Sequence, residues 1–105
     1  MATRRPTHPG AVLREDVLEP LGIGIAEAAE RLGVSGKKLS DLVRERTSMS
    51  ADMAVRIGKA TRTSPESWLG MQAELDLWIA KRKAMDVKPF PDAELRKKTA
   101  PSTPL

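Results

Sequence analysis

Three features of the sequence predict an all-α fold. Aromatic residues make up 3% of the 105, with no tyrosine and one phenylalanine, so the core must be built from Leu, Ile, Val, Met and Ala. β-Sandwiches usually draw on aromatic and β-branched residues instead. No segment alternates apolar and polar residues over four or more positions with β-branched enrichment, the mark of a strand. Apolar residues recur at three- and four-residue spacing between helix starts and stops, which divides the chain into five helices.

The first helix opens at Pro9, whose missing N–H costs nothing at a first helical position. Leu13, Val17 and Leu21 form its apolar stripe, and Pro20 and Gly22 end it. Ile25, Ala28, Ala29 and Leu32 give the second helix its buried face, with Gly33 as its stop. Ser35 caps a third helix with the inner face Leu39, Leu42 and Val43. Ser50 caps a fourth, which has Asp52 in the first turn and buries Met53, Ala54, Ile57 and Ala60. Ser64–Pro65–Glu66 starts the fifth, which is expected to run to about Met85 and carries Trp68, Met71, Leu75, Trp78 and Met85 at coiled-coil-like spacing.

One domain is expected over residues 7–85, with 86–105 as a basic, proline-rich, flexible tail. That tail holds Pro89, Pro91, Pro101, Pro104 and the run Arg96–Lys97–Lys98, and has too little apolar surface to offset its ordering entropy. An alternative for it is folding of Val87, Phe90 and Leu95 onto a partner protein. The net charge of +4 admits a polyanionic partner, and the lack of cysteine excludes disulfides and thiolate metal sites. No apolar run reaches membrane-spanning length and residues 1–10 contain no signal-like stretch, so a cytoplasmic protein without membrane contact is expected.

Function concentrates in residues 25–46, IAEAAERLGVSGKKLSDLVRER. Ala28–Ala29 let two helices cross closely, Gly33 accepts the backbone geometry of a sharp turn, and Val34 plugs the corner. That is the recipe for a helix-turn-helix whose third helix is free to enter a DNA major groove. Residues 36–46 carry four basic and two acidic side chains, while residues 14–31 carry two basic and five acidic. The bland reading is a solvated helix face, and the adjoining turn pattern favours DNA binding over it. Lys37, Ser40 and Asp41 are candidates for base edges, Lys to guanine acceptors and Asp to a cytosine amino group. Ser35, Lys38, Arg44, Arg46, Thr47 and Ser48 are candidates for phosphates.

At this point the chain resembles the HigA-type antitoxins of the XRE/lambda-repressor-like helix-turn-helix family. The resemblance rests on THPGAVLREDVLEPLG (7–22), AAERLGVSGKKLSDLV (28–43), SADMAVRIGKA (50–60) and TSPESWLGMQAELDLW (63–78). It implies a five-helix, lambda-repressor-like domain that forms a homodimer, represses its own operon at a palindromic double-stranded operator and neutralises a toxin protein. The toxin implied is a RelE-like, ribosome-dependent mRNA endonuclease. Two departures stand out. Gly36 occupies a position where relatives often carry arginine, and Arg44–Glu45 replaces a frequent Asn-Gly turn, so the third helix is free to run one turn longer.

Other constellations are weaker. His8, the sole histidine, is read as satisfying backbone at the first helix start; no metal, cofactor or small-molecule site is expected. Without a base placed beside a nucleophile, the chain is not expected to be an enzyme. Trp68, Leu75, Trp78 and Ile79 are candidates for a dimer seam, and core packing is the alternative for each tryptophan. Two further functional readings remain, a toxin-neutralising interaction module with little specific DNA binding and a stand-alone repressor without a toxin.

Overall fold

A computed structural model describes residues 4–91. It is all-helical, with no strand among the described residues. The first helix, α1, is continuous over 9–21 but changes pitch. An α-helical turn Pro9–Val12 leads into a π-helical stretch Leu13–Leu18 and returns to α geometry over Glu19–Leu21. Then come α2 (Ile25–Leu32), α3 (Gly36–Val43), α4 (Ala51–Thr61) and α5 (Pro65–Lys81).

Most helix starts are set locally. Ser35, Ser50 and Ser64 each sit in extended backbone and accept, through the side chain, the N–H three residues on. Pro9 and Pro65 occupy first-turn positions that lack an intrahelical acceptor. Gly22 and Gly33 end α1 and α2 in the left-handed region, at φ 68° and 74°.

The π-helical stretch changes which face of α1 is buried. A π turn holds more residues than an α turn, so the apolar stripe advances by one position. Leu13 and Leu18 enter the core, Val17 packs at its edge, and Leu21, expected inside, is 65% exposed. The helix also passes through Pro20 before Gly22 stops it. Two further expectations are corrected. Ala60 is exposed, and Gly58 takes the buried position on α4. Helix α5 stops at Lys81 rather than near Met85, because residues 82–85 lie exposed and bury nothing that would hold another turn.

The core is one aliphatic cluster between all five helices, centred on Leu39, Ala54 and Ile57, which are fully buried. Trp68 closes it from α5 and donates its indole N–H to Thr63 Oγ1 at 2.7 Å. No helix among the described residues is long and apolar enough to cross a membrane. The proposed tail contacts of Leu95 and the run Arg96–Lys97–Lys98 lie outside the described residues.

Candidate nucleic-acid interface

Helices α2 and α3 and the turn between them form the helix-turn-helix. Gly33 makes the turn, and Val34 packs its side chain against the core. Arg56 of α4 braces the corner from outside. One guanidinium nitrogen donates to the Leu32 carbonyl at 2.9 Å and to the Gly33 carbonyl at 3.3 Å. Asp52 holds the same guanidinium at 2.8 Å, and that hydrogen bond, the largest influence, keeps its carboxyl below the ordinary value; the charges of Arg56 and Lys38 act in the same direction. Sequence reasoning missed this brace, although Asp52 and Arg56 stand at helical i, i+4 spacing.

Leu39, Leu42 and Val43 anchor α3 in the core, which leaves the opposite face to solvent. Lys37, Lys38 and Gly36 are exposed, while Ser40 and Asp41 are half-buried. Lys37 Nζ lies 3.0 Å from Asp41 Oδ2, and Arg46 Nη1 lies 3.7 Å from Asp41 Oδ1. The helix does not gain the additional turn that Arg44–Glu45 suggested. Glu45 turns into the left-handed region at φ 63°, and its N–H donates to the Leu42 carbonyl while that of Arg46 donates to the Asp41 carbonyl. This bend swings Arg46, Thr47 and Ser48 back beside α3. Ser35, Lys37, Lys38, Asp41, Thr47, Ser48 and Ser50 then line one open polar depression. Six of these seven were candidates from sequence, and Ser50 had been recognised only as a cap. Arg44 is exposed at the end of α3.

Three distant groups hold the segment after α3. His8 is buried at 6% exposure; its Nδ1 accepts the Gly10 N–H at 2.9 Å, so Nε2 carries the proton donated to the Thr47 carbonyl at 3.0 Å. His8 therefore caps α1, as expected, and also pins the loop, which its place in the sequence did not reveal. Arg14 donates to the Val43 carbonyl, satisfying an end of α3 that has no intrahelical partner. From the other side, buried Gln72 of α5 accepts the Met49 N–H at 2.7 Å. The available signal was a glutamine inside an otherwise apolar stripe.

Of the candidate dimer residues, Trp68 and Leu75 lie in the interior at 4% and 2% exposure. Trp78 is half-buried beneath the Arg82 guanidinium, 3.7 Å from its ring centre, and Ile79 is 37% exposed. Among the described residues no cluster of three or more His, Asp or Glu is spaced to hold a metal.

No family model matches the chain. A helix-turn-helix transcriptional regulator of Haemophilus influenzae is 40% identical over 78 residues, 74% of this chain and 73% of that protein. Antitoxin HigA-1 of Vibrio cholerae is 32% identical over 87 residues, 83% and 82% of the two chains. The structure of Pseudomonas aeruginosa antitoxin HigA with the higBA promoter superposes with a TM-score of 0.70 at 42% identity, covering 72% of this chain and 83% of that one. These relatives are regulators and antitoxins rather than enzymes. The five-helix architecture, the helix-turn-helix in register and these identities establish that the chain belongs to the HigA-type antitoxins of the helix-turn-helix regulator family.

Proposed function

We propose that this protein is the antitoxin of a toxin–antitoxin pair, binding a RelE-like mRNA endonuclease and repressing its own operon as a DNA-bound dimer. The observation that carries the DNA half is the depression beside α3, where Lys37 and Lys38 project from a helix whose opposite face is locked in the core. Ser35, Lys38, Arg44, Arg46, Thr47 and Ser48 take phosphates, while Lys37, Ser40 and Asp41 face the groove floor. A relative solved with promoter DNA supports this reading. The toxin half rests on kinship with named antitoxins.

The dimer is proposed along the exposed part of α5. Leu77 and Ile79 are 55% and 37% exposed, and the Trp78 indole N–H is buried without a partner among the described residues. A two-fold pair presents its α3 helices about one DNA turn apart, so the operator is an inverted repeat with half-sites roughly 10 bp apart or a multiple of that.

The test is titration of a labelled fragment from upstream of the chain's own gene against random duplex. Binding about a thousandfold tighter to the former is expected. It should be lost in the Lys37→Glu, Lys38→Glu double variant with the fold intact. Sequence-blind binding by the parent would sink the repressor reading. Failure to co-purify with the product of an adjacent small reading frame would sink the toxin reading.

A further inference from the structure

The placement of Asp41 on the DNA face assigns it a role other than contact with a base alone. Its side chain is 19% exposed, tucked beneath Lys37 at 85% and Arg46 at 63%. One carboxylate oxygen faces Lys37 Nζ at 3.0 Å and the other faces Arg46 Nη1 at 3.7 Å. Both partners are cations of the DNA face: Arg46 would otherwise be offered to phosphates, and Lys37 to base edges or, on a non-matching sequence, to a neighbouring phosphate.

The arrangement adds little to stability. The lysine precedes the aspartate at i, i+4, the less favourable order along a helix, and exposed pairs contribute little. The Glu45 bend returns the chain so that Arg46 stands beside this carboxylate, and the Arg46 N–H is tied to the Asp41 carbonyl at 2.8 Å. The geometry therefore brings two cations of the DNA face, one groove-facing and one phosphate-facing, to one internal anion.

We infer that Asp41 is a specificity-determining residue that suppresses sequence-blind DNA binding by occupying Lys37 and Arg46. This rests on the DNA-binding reading above. A phosphate approaching either cation must displace the carboxylate and then lie close to an uncompensated negative charge. Random DNA places a donor for that charge only by chance. Every base pair carries one major-groove amino group, on adenine or cytosine. Only a site that fixes it on the strand and at the position facing Asp41 supplies a donor to the released carboxylate, so the displacement is offset at a matching base pair.

The experiment measures binding by fluorescence anisotropy, across a salt series, to two probes: the fragment from upstream of the chain's own gene and a random duplex of equal length. For Asp41→Asn, which keeps shape and removes charge, affinity for random duplex rises by about tenfold, and so the preference for the upstream fragment falls by about tenfold. The salt slope on random duplex steepens by about one to two, the signature of one or two additional phosphate contacts. Asp41→Glu, which keeps the charge, retains weak random binding. Arg46→Gln lowers random-duplex affinity more in the Asp41→Asn background than in the parent, because the carboxylate no longer holds the guanidinium.

Unchanged random-duplex affinity and salt slope in Asp41→Asn would overturn the inference. So would an equal loss on both probes, which would mark a structural role. If the parent itself does not prefer the upstream fragment, the DNA-binding reading fails instead. If the parent discriminates and Asp41→Asn discriminates equally well, only the role of Asp41 fails.

Discussion

Gly10 offers the sharpest test of how α1 is joined to the DNA-facing segment. A Cβ at this position would sit 1.9 Å from the Leu42 carbonyl oxygen and 2.7 Å from its carbon. Ordinary contact begins near 3.4 Å, so Gly10→Ala demands a separation of about 1.5 Å between two stretches of backbone. No rotamer change relieves a backbone clash. Overpacking alone costs about 1–3 kcal/mol. Moving α1 off α3 also weakens the bonds from His8 to Thr47 and from Arg14 to Val43, each contributing about 1 kcal/mol. The expected loss is therefore about 3–5 kcal/mol, a large part of the ~5–10 kcal/mol that stabilises a domain of this size. At about 4–8 °C per kcal/mol, the melting temperature should fall by at least about 12 °C in far-UV circular dichroism. Gly70→Ala is the counterpart. Gly70 lies within α5, where beyond its chain neighbours and the helix's own backbone an added Cβ meets nothing within 4 Å, so alanine should stabilise by about 0.5–1 kcal/mol. Helix propensity predicts the same sign for both glycines; the packing reverses it at Gly10. A Gly10→Ala variant melting within about 3 °C of the parent would refute the close approach as a constraint.

Further outcomes follow from other anchors. Gln72→Leu leaves the buried Met49 N–H without an acceptor and should cost about 1–3 kcal/mol, with faster hydrogen exchange at the Met49 amide as its specific signature; unchanged exchange there would remove Gln72 from the account. His8→Ala removes both the α1 cap and the Thr47 tether, so it should destabilise by about 2–4 kcal/mol, whereas a neutral effect in urea unfolding would show that the tether is dispensable. The Asp52 carboxyl is held below its ordinary value by Arg56, so its contribution to stability is present above the unfolded carboxylate value and is lost as pH falls through the lower, folded one. Asp52→Asn should flatten that acid limb in pH-dependent melting, and an identical limb in the variant would contradict the pairing.

The candidate site was legible to the extent that it is local. Ser35, Lys37, Lys38, Asp41, Thr47 and Ser48 could be placed together because one cap, one helix and one short turn hold them. The helix starts at Pro9, Ser35, Ser50 and Ser64 were equally legible, since a cap acts on backbone only a few residues away. The residue roles were less so: Asp41 reads as a groove-facing acceptor until the bend at Glu45 is known to bring Arg46 against it.

The order of helices, the helix-turn-helix register and the basic face of α3 were thus determined by the sequence alone, because spacing, capping and charge are short-range signals. Only the tertiary structure decided that a π turn sends Leu18 rather than Leu21 into the core, and that α5 ends at Lys81. It alone decided that Gly10 abuts Leu42, that His8 reaches Thr47 and that Gln72 reaches Met49. Those contacts join residues 23 to 39 positions apart, where neither helical period nor cap carries information, and they exist only once the core has fixed how the helices cross.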